Sequence, residues 1–367
     1  MNKHLKIPLL VLLSSISLWS CRKERGVIPE EQEQLPNQIT AVNGLYLLNE
    51  GNMGSNKASL DYYDYATGLY RRNIYNEANP SATLGLGDVG NDIQIYGKRL
   101  YVVVNMSNKV EVLDVKTAKK IGEVQVPSCR YITFYKNKAY VTAYDGYVAV
   151  IDTASLAINA KINVGQQPEE MAVVGTKLYV ANSGGYNYPN YERTVSVIDL
   201  NTNQELKRID VDVNLHHLRA DQYGDLYVTS RGDYFDIPSN LYVIDTKTDV
   251  VKKKFNIAAS EICIDKDFAY VYSVAWSNAA GANVISYAKL NVKDETILPG
   301  SFITDGTDKA ILLPYGLAID PLSADIYVTD AKDFQGPGTL YCFDKNGKKK
   351  FSVTTGDIPA HLVFYTK

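Results

Sequence analysis

Leu100-Tyr101-Val102-Val103-Val104-Asn105, Ala139-Tyr140-Val141-Thr142 and Leu178-Tyr179-Val180-Ala181-Asn182 are copies of one phrase, and their tyrosines stand 39 residues apart. It recurs upstream as Leu45-Tyr46-Leu47-Leu48-Asn49, and downstream as Leu226-Tyr227-Val228-Thr229, Ala269-Tyr270-Val271-Tyr272 and Ile326-Tyr327-Val328-Thr329, seven copies in all. Short runs of β-branched and aromatic residues read as strands. A period near 40 is that of a four-stranded propeller blade.

Each copy is followed by an alternating strand that usually ends in Asp, as at residues 59–64, 110–114, 148–152, 195–199, 241–245 and 340–344; the sixth copy has Asn291 there instead. A turn with Thr, Asn or Gly follows, and the Asp carboxylate is suited to accept its backbone N–H groups, a structural role. Another apolar strand precedes each phrase except the first. The spare strand is at the far end, His361-Leu362-Val363-Phe364-Tyr365. The predicted fold is therefore all-β: a seven-bladed propeller of four-stranded blades over residues 41–367, closed by the C-terminal strand so that no sheet edge stays open. No helical period of apolar residues is visible in this part.

The first residues read differently. Lys3 and Lys6 precede an apolar run at 7–18, too short for a permanent span, and then comes Leu18-Trp19-Ser20-Cys21. This resembles a bacterial lipobox: residues 1–20 would be the signal peptide, Cys21 the lipidated residue, and the polar stretch 21–40 a flexible tether. The alternative is an ordinary secretory signal cut near Ser20. Cys129, Cys263 and Cys342 have no paired spacing and are expected to be free thiols. A net charge of −3 with 46% hydrophobic residues excludes a disordered chain and a basic nucleic-acid surface.

In such a blade the loop leading into the inner strand and the loop joining the second and third strands lie on one face, where propeller function concentrates. That face would collect Arg130, Tyr144, Tyr186, Tyr188, Tyr191, Arg231, Tyr234, Phe235, Trp276 and Tyr315. We expect aromatic platforms at Tyr144, Tyr186, Tyr188, Tyr234, Phe235 and Trp276, with Tyr315 also in contact and polar contacts from Asn105, Asn182, Arg130 and Arg231. Tyr and Trp offer stiff, half-apolar area and Asn adaptable hydrogen bonds, a mixture for a large ligand that is part apolar and part amide or sugar. No phosphate loop, nucleophile elbow or metal-ligand spacing occurs, so no catalytic residue, metal or cofactor is assigned. Asp92, Glu169, Glu170 and Glu261 offer the alternative of a cation site in a metal-dependent propeller hydrolase. Of the adjacent His216 and His217, strand alternation lets at most one face the channel.

The Tyr-Val-Thr and Tyr-Val-Ala-Asn phrases with Val-x-Val-Ile-Asp resemble YVTN-type propellers. The opening Gly44-Leu45-Tyr46-Leu47-Leu48-Asn49-Glu50-Gly51-Asn52, followed by Ser59-Leu60-Asp61-Tyr62-Tyr63, is similar to surface-layer-type lipoproteins of Bacteroidetes of the BtuG kind. The resemblance implies a non-enzymatic, lipid-anchored protein of the outer membrane facing the cell exterior. It implies capture of cobalamin (vitamin B12) or a related corrinoid, and delivery to a TonB-dependent outer-membrane transporter. A propeller scaffold for protein partners in the envelope is the other class open to this sequence.

Overall fold

In the computed structural model, which describes residues 39–277 and 281–367, each tyrosine phrase is the second strand of a four-stranded antiparallel sheet. The third blade shows the pattern: Cys129–Tyr135 innermost, then Lys138–Ala143, Tyr147–Asp152 and Ile158–Asn163 outermost. Seven such sheets form the ring. The phrase does not alternate because both faces of a blade are covered by its neighbours. Arg99–Val104 is accordingly buried from Leu100 onward, whereas the outer strand Lys120–Gln125 is mostly exposed.

The core consequently lies between blades. One apolar cluster joins Leu48 and Leu60 of the first blade to Leu100 and Val102 of the second, and a comparable cluster fills each junction round to the one joining Tyr327 and Leu340 to Leu45 and Leu47. The repeated tyrosine belongs to this seam. The Tyr46 hydroxyl donates to the Val115 carbonyl of the next blade at 2.6 Å, Tyr179 to Asp249 at 2.7 Å, and Tyr227 to the Val292 carbonyl at 3.3 Å. Tyr101 and Tyr270 instead pack their rings on Phe134 and Phe302. A buried ring supplies apolar area, and its hydroxyl ties the next blade.

The ring closes as expected. Pro359–Thr366 is the inner strand of the first blade, pairing Tyr46 with Val363, and Thr40 donates its N–H to the Lys367 carbonyl at 2.8 Å. At Gly316 the neighbouring inner strand comes so near that a Cβ would lie 2.1 Å from the Ala360 carbonyl oxygen. The strand-ending Asp residues are structural: Asp152 Oδ1 accepts the N–H groups of Ala154 at 3.0 Å and Ser155 at 2.8 Å, and Asn291 accepts that of Lys293 at 2.9 Å. Cys129 and Cys342 are buried free thiols, and Cys263 is half-buried and also free. A short α-helix, Ile74–Ala78, and a 3-10 turn, Thr307–Ala310, lie in loops, too brief to leave an apolar period in the sequence.

Candidate functional site

Strand alternation would send successive side chains of an inner strand to the two opposite faces of its blade. The inner strands break that rule near their starts: their registers skip one residue at Asn91, within Arg130-Tyr131, within Glu169-Glu170, within His216-His217, within Tyr315-Gly316 and at Ala360. A bulge places two residues opposite one and re-aims a side chain. His216 and His217 therefore do not diverge; their ring centroids are 3.7 Å apart, and both rings approach Tyr131. The two rings thus stand together rather than on opposite sides, and of the two only His217 lines the small cavity shared with Glu170 and Glu261. Consecutive polar pairs thus crowd the upper end of the channel.

Glu169 is the hub of one half of this crowd. Fully buried, it receives Arg130 Nε at 3.0 Å, Arg231 Nη1 at 3.0 Å and the Tyr144 hydroxyl. Burial alone would raise its pKa, but the two guanidinium groups overrule burial and hold it below the ordinary carboxylate range. The Arg130 guanidinium also lies 4.6 Å from the centre of the Tyr144 ring and reaches the Asn91 side chain. His216 accepts or donates a hydrogen bond at 2.9 Å with the Tyr131 hydroxyl, and burial together with Arg231 pushes its pKa well down, so it is neutral at pH 7.

In the other half, His217 bridges Glu170 at 3.0 Å and Glu261 at 3.3 Å, and Arg219 pairs with both carboxylates. Asp92 accepts the backbone N–H groups of Ile93 at 2.7 Å and Ile132 at 2.9 Å. The four carboxylates weighed as cation ligands are thus already engaged by protein donors. The cavity that Asp92, Glu170 and Glu261 line with Tyr131 and His361 is about 50 Å³, room for a few waters. A large ligand must therefore rest above the channel rather than inside it.

Above Glu169 two loops carry the aromatic residues. Each is pinched at a left-handed glycine against its returning arm: a Cβ on Gly184 would meet Glu192 N at 2.2 Å, and one on Gly232 would meet Ile237 O at 2.0 Å. Tyr186 stands edge-on to Tyr144 at 5.1 Å, Tyr188 touches Phe235 at 5.7 Å, and Tyr191 joins Tyr188 to Tyr234. Tyr186, Tyr188, Tyr234 and Phe235 are 76, 60, 65 and 74% exposed. Single exposed apolar residues are ordinary; here Tyr188, Phe235 and, through Tyr191, Tyr234 form one contiguous aromatic group, with Tyr186 on the same loop as Tyr188. Tyr234 has φ 67°, in the left-handed region, as do other turn residues of this propeller such as Leu156 and Phe334.

The expected residues divide accordingly. Arg130, Tyr144 and Arg231 form the floor, and Tyr186, Tyr188, Tyr234 and Phe235 form the shelf. Tyr315 stands apart, its hydroxyl donating to Glu50 at 3.0 Å and its ring edge-on to Phe334. Two expectations are corrected. Asn182 is fully buried and its amide donates to Thr194 and Ser196, while the half-buried Asn105 donates to the Cys129 carbonyl at 2.7 Å; both amides fasten neighbouring chain segments rather than face a ligand. Trp276 lies in the strand Phe268–Ser277, and its side chain is outside the described residues. Glu169, weighed as a cation ligand or as a partner of Arg130, proves to be the hub, and Asn91, given no separate role, meets Arg130; the signal for both is the consecutive polar pairs that open several inner strands.

The fold is similar to that of a quinonprotein alcohol dehydrogenase-like protein of Bacteroides thetaiotaomicron, at 17% identity, TM-score 0.64, and coverage of 88% of this chain and 78% of that one. It is also similar to hydrazine synthase of Kuenenia stuttgartiensis, at 16% identity, TM-score 0.61, and coverage of 74% and 88%. Identities this low speak to fold alone. No curated protein matches the chain. The propeller, with its doubled inner-strand residues and aromatic face, belongs to the family described as Domain of unknown function (DUF5074), whose profile matches residues 43–365.

Proposed function

We propose that this propeller is a binding protein without chemistry of its own, and that it captures cobalamin or a related corrinoid on the shelf above Glu169. The observation that carries the reading is the group of four exposed aromatic side chains held over a buried, ion-paired floor. A corrin ring is broad, with apolar flanks and a fringe of amides, and suits such a surface. The loops are pinned by their own hydrogen bonds, so little ordering is needed on binding and affinity can be high without a bond to cobalt. The resemblance of residues 44–63 to surface lipoproteins adds the setting: an anchor at Cys21, a place on the outer membrane facing the exterior, and delivery to a TonB-dependent transporter.

Isothermal calorimetry with cyanocobalamin tests this. The expected result is a one-to-one complex that survives gel filtration with its red colour and with the ligand chemically unchanged. No heat and no retained colour would overturn the corrinoid reading. Membrane fractionation of Cys21→Ala tests the anchor: the variant should appear in the soluble fraction with an unaltered melting temperature.

A further inference from the structure

Beneath the shelf, Glu169 is one carboxylate shared by two guanidinium groups, and its oxygens already accept Arg130, Arg231 and the Tyr144 hydroxyl. The nearby His216 is held neutral. Asp233, two residues beyond Arg231, turns its carboxylate to its own loop, accepting the N–H groups of Phe235 at 2.9 Å and Ile237 at 2.8 Å. At Glu169 itself two guanidinium groups thus meet one carboxylate, while Asp92, Glu170 and Glu261 lie in the other half with Arg219 and His217.

Of the two guanidinium groups, Arg231 is the less committed. Arg130 is committed, with Nε and Nη2 on Glu169 and Nη1 on Asn91. Arg231 uses only Nη1, on Glu169 at 3.0 Å, and its side chain is 25% exposed. Among the described residues no other acceptor is bonded to its remaining N–H groups. It sits at the root of the loop carrying Tyr234 and Phe235, one residue before the glycine pinch. The loop, the fixed Nη1 bond and the aromatic neighbours restrict where the free part of the fork can point.

We infer that Arg231 is an anion-binding residue of this face, and that the ligand it selects carries one phosphodiester beside a flat, half-apolar body. A guanidinium fork matches two phosphoryl oxygens, and a partly buried site strengthens that pairing over its value in water. One guanidinium that already shares a carboxylate suits a monoanion better than a phosphomonoester dianion. The inference rests on the corrinoid reading and narrows it: the nucleotide loop of cobalamin, which holds the phosphodiester, would lie over Arg231, and the corrin ring over the tyrosines.

Cobalamin and cobinamide separate the two ideas, because cobinamide keeps the corrin ring and lacks the phosphodiester. Calorimetry on the full chain, wild type, Arg231→Gln and Arg231→Lys, with circular dichroism to verify folding, gives the readout. Expected is a loss of about 10- to 100-fold in cobalamin affinity for Arg231→Gln, a smaller loss for Arg231→Lys, and less than about 3-fold change for cobinamide. Wild-type affinity for cobalamin should also fall with added salt, and that slope should flatten in Arg231→Gln. Equal losses for both ligands, or an unchanged cobalamin affinity, would overturn the anion role while leaving corrinoid capture standing. Failure of the wild type to bind either ligand would overturn both.

Discussion

The hydroxyl of Tyr65 in the first blade lies 2.7 Å from that of Tyr327 in the seventh and donates to Asp320 at 2.8 Å, a polar tie across the last seam beside its apolar cluster. Removing the Tyr327 hydroxyl leaves Tyr65 its carboxylate partner, and Tyr327→Phe should cost about 0.5–1.5 kcal/mol. Tyr65→Phe deprives both other groups of a partner and should cost more, about 1–3 kcal/mol. Urea midpoints at constant m-value give the comparison, and the reverse order would show that the seam is held elsewhere.

Deleting residues 361–367 removes most of the strand Pro359–Thr366, the inner strand of the first blade. The edge of Val42–Asn49 then stands unpaired and its apolar side chains lose a cover. A large fall in melting temperature and a tendency to aggregate are expected. A melting curve like that of the wild type would contradict the closure.

Two channel groups give stability opposite pH slopes. Burial opposes the charge on Glu170, but Arg219 and His217 outweigh it and hold its pKa at about 2, against an ordinary 4.5. Its contribution is complete above pH 4.5 and disappears as pH falls toward 2. Burial likewise opposes the charge on His361, but Glu50, 3.4 Å away, and Asp92 raise its pKa above the ordinary 6.5. That contribution is complete below pH 6.5 and is lost as pH climbs through the raised value. Denaturant midpoints across pH 2–9 should show both limbs. Glu170→Gln should flatten the acid limb alone, and His361→Gln the upper one.

Tyr186 and Phe235 are largely exposed, so replacing either by Ala should leave the melting temperature within a degree or so, since surface changes are usually within about 0.5 kcal/mol. The same changes should weaken ligand binding by about 1–3 kcal/mol each, the scale of a contact at the centre of an interface. Binding untouched in the double variant would move the site to another part of the ring.

The architecture was legible because a blade repeats its burial. The run from Leu100 to Val104 announces a strand covered on both sides, and the unpartnered first phrase with the spare strand at residues 361–365 announces the closure. Which face carries the aromatic loops followed from strand direction alone. The pairing inside the channel was legible only in outline, as carboxylates that Arg130 could meet. Whether Glu169 meets Arg130 or a neighbour depends on the stagger between blades, and strand alternation gives the wrong side for one residue of each doubled pair. Asn105 and Asn182 misled for a related reason: an Asn just past a strand suits either a ligand contact or a brace, and only the distances to Cys129, Thr194 and Ser196 tell these apart.

The Thr40 hydroxyl donates to the Lys367 carbonyl across 327 residues of sequence. A chain leaving the ribosome can form its middle blades in the order they are made, each packing on the one before it. The first blade must wait, with Leu45, Leu47 and the edge of their strand uncovered until the final residues emerge. The slow, long-range step of folding is then the last one, when the two ends of an almost complete ring find each other. A prematurely ended chain is an open stack with two reactive edges, which makes the seam the place where a chaperone or a protease would act.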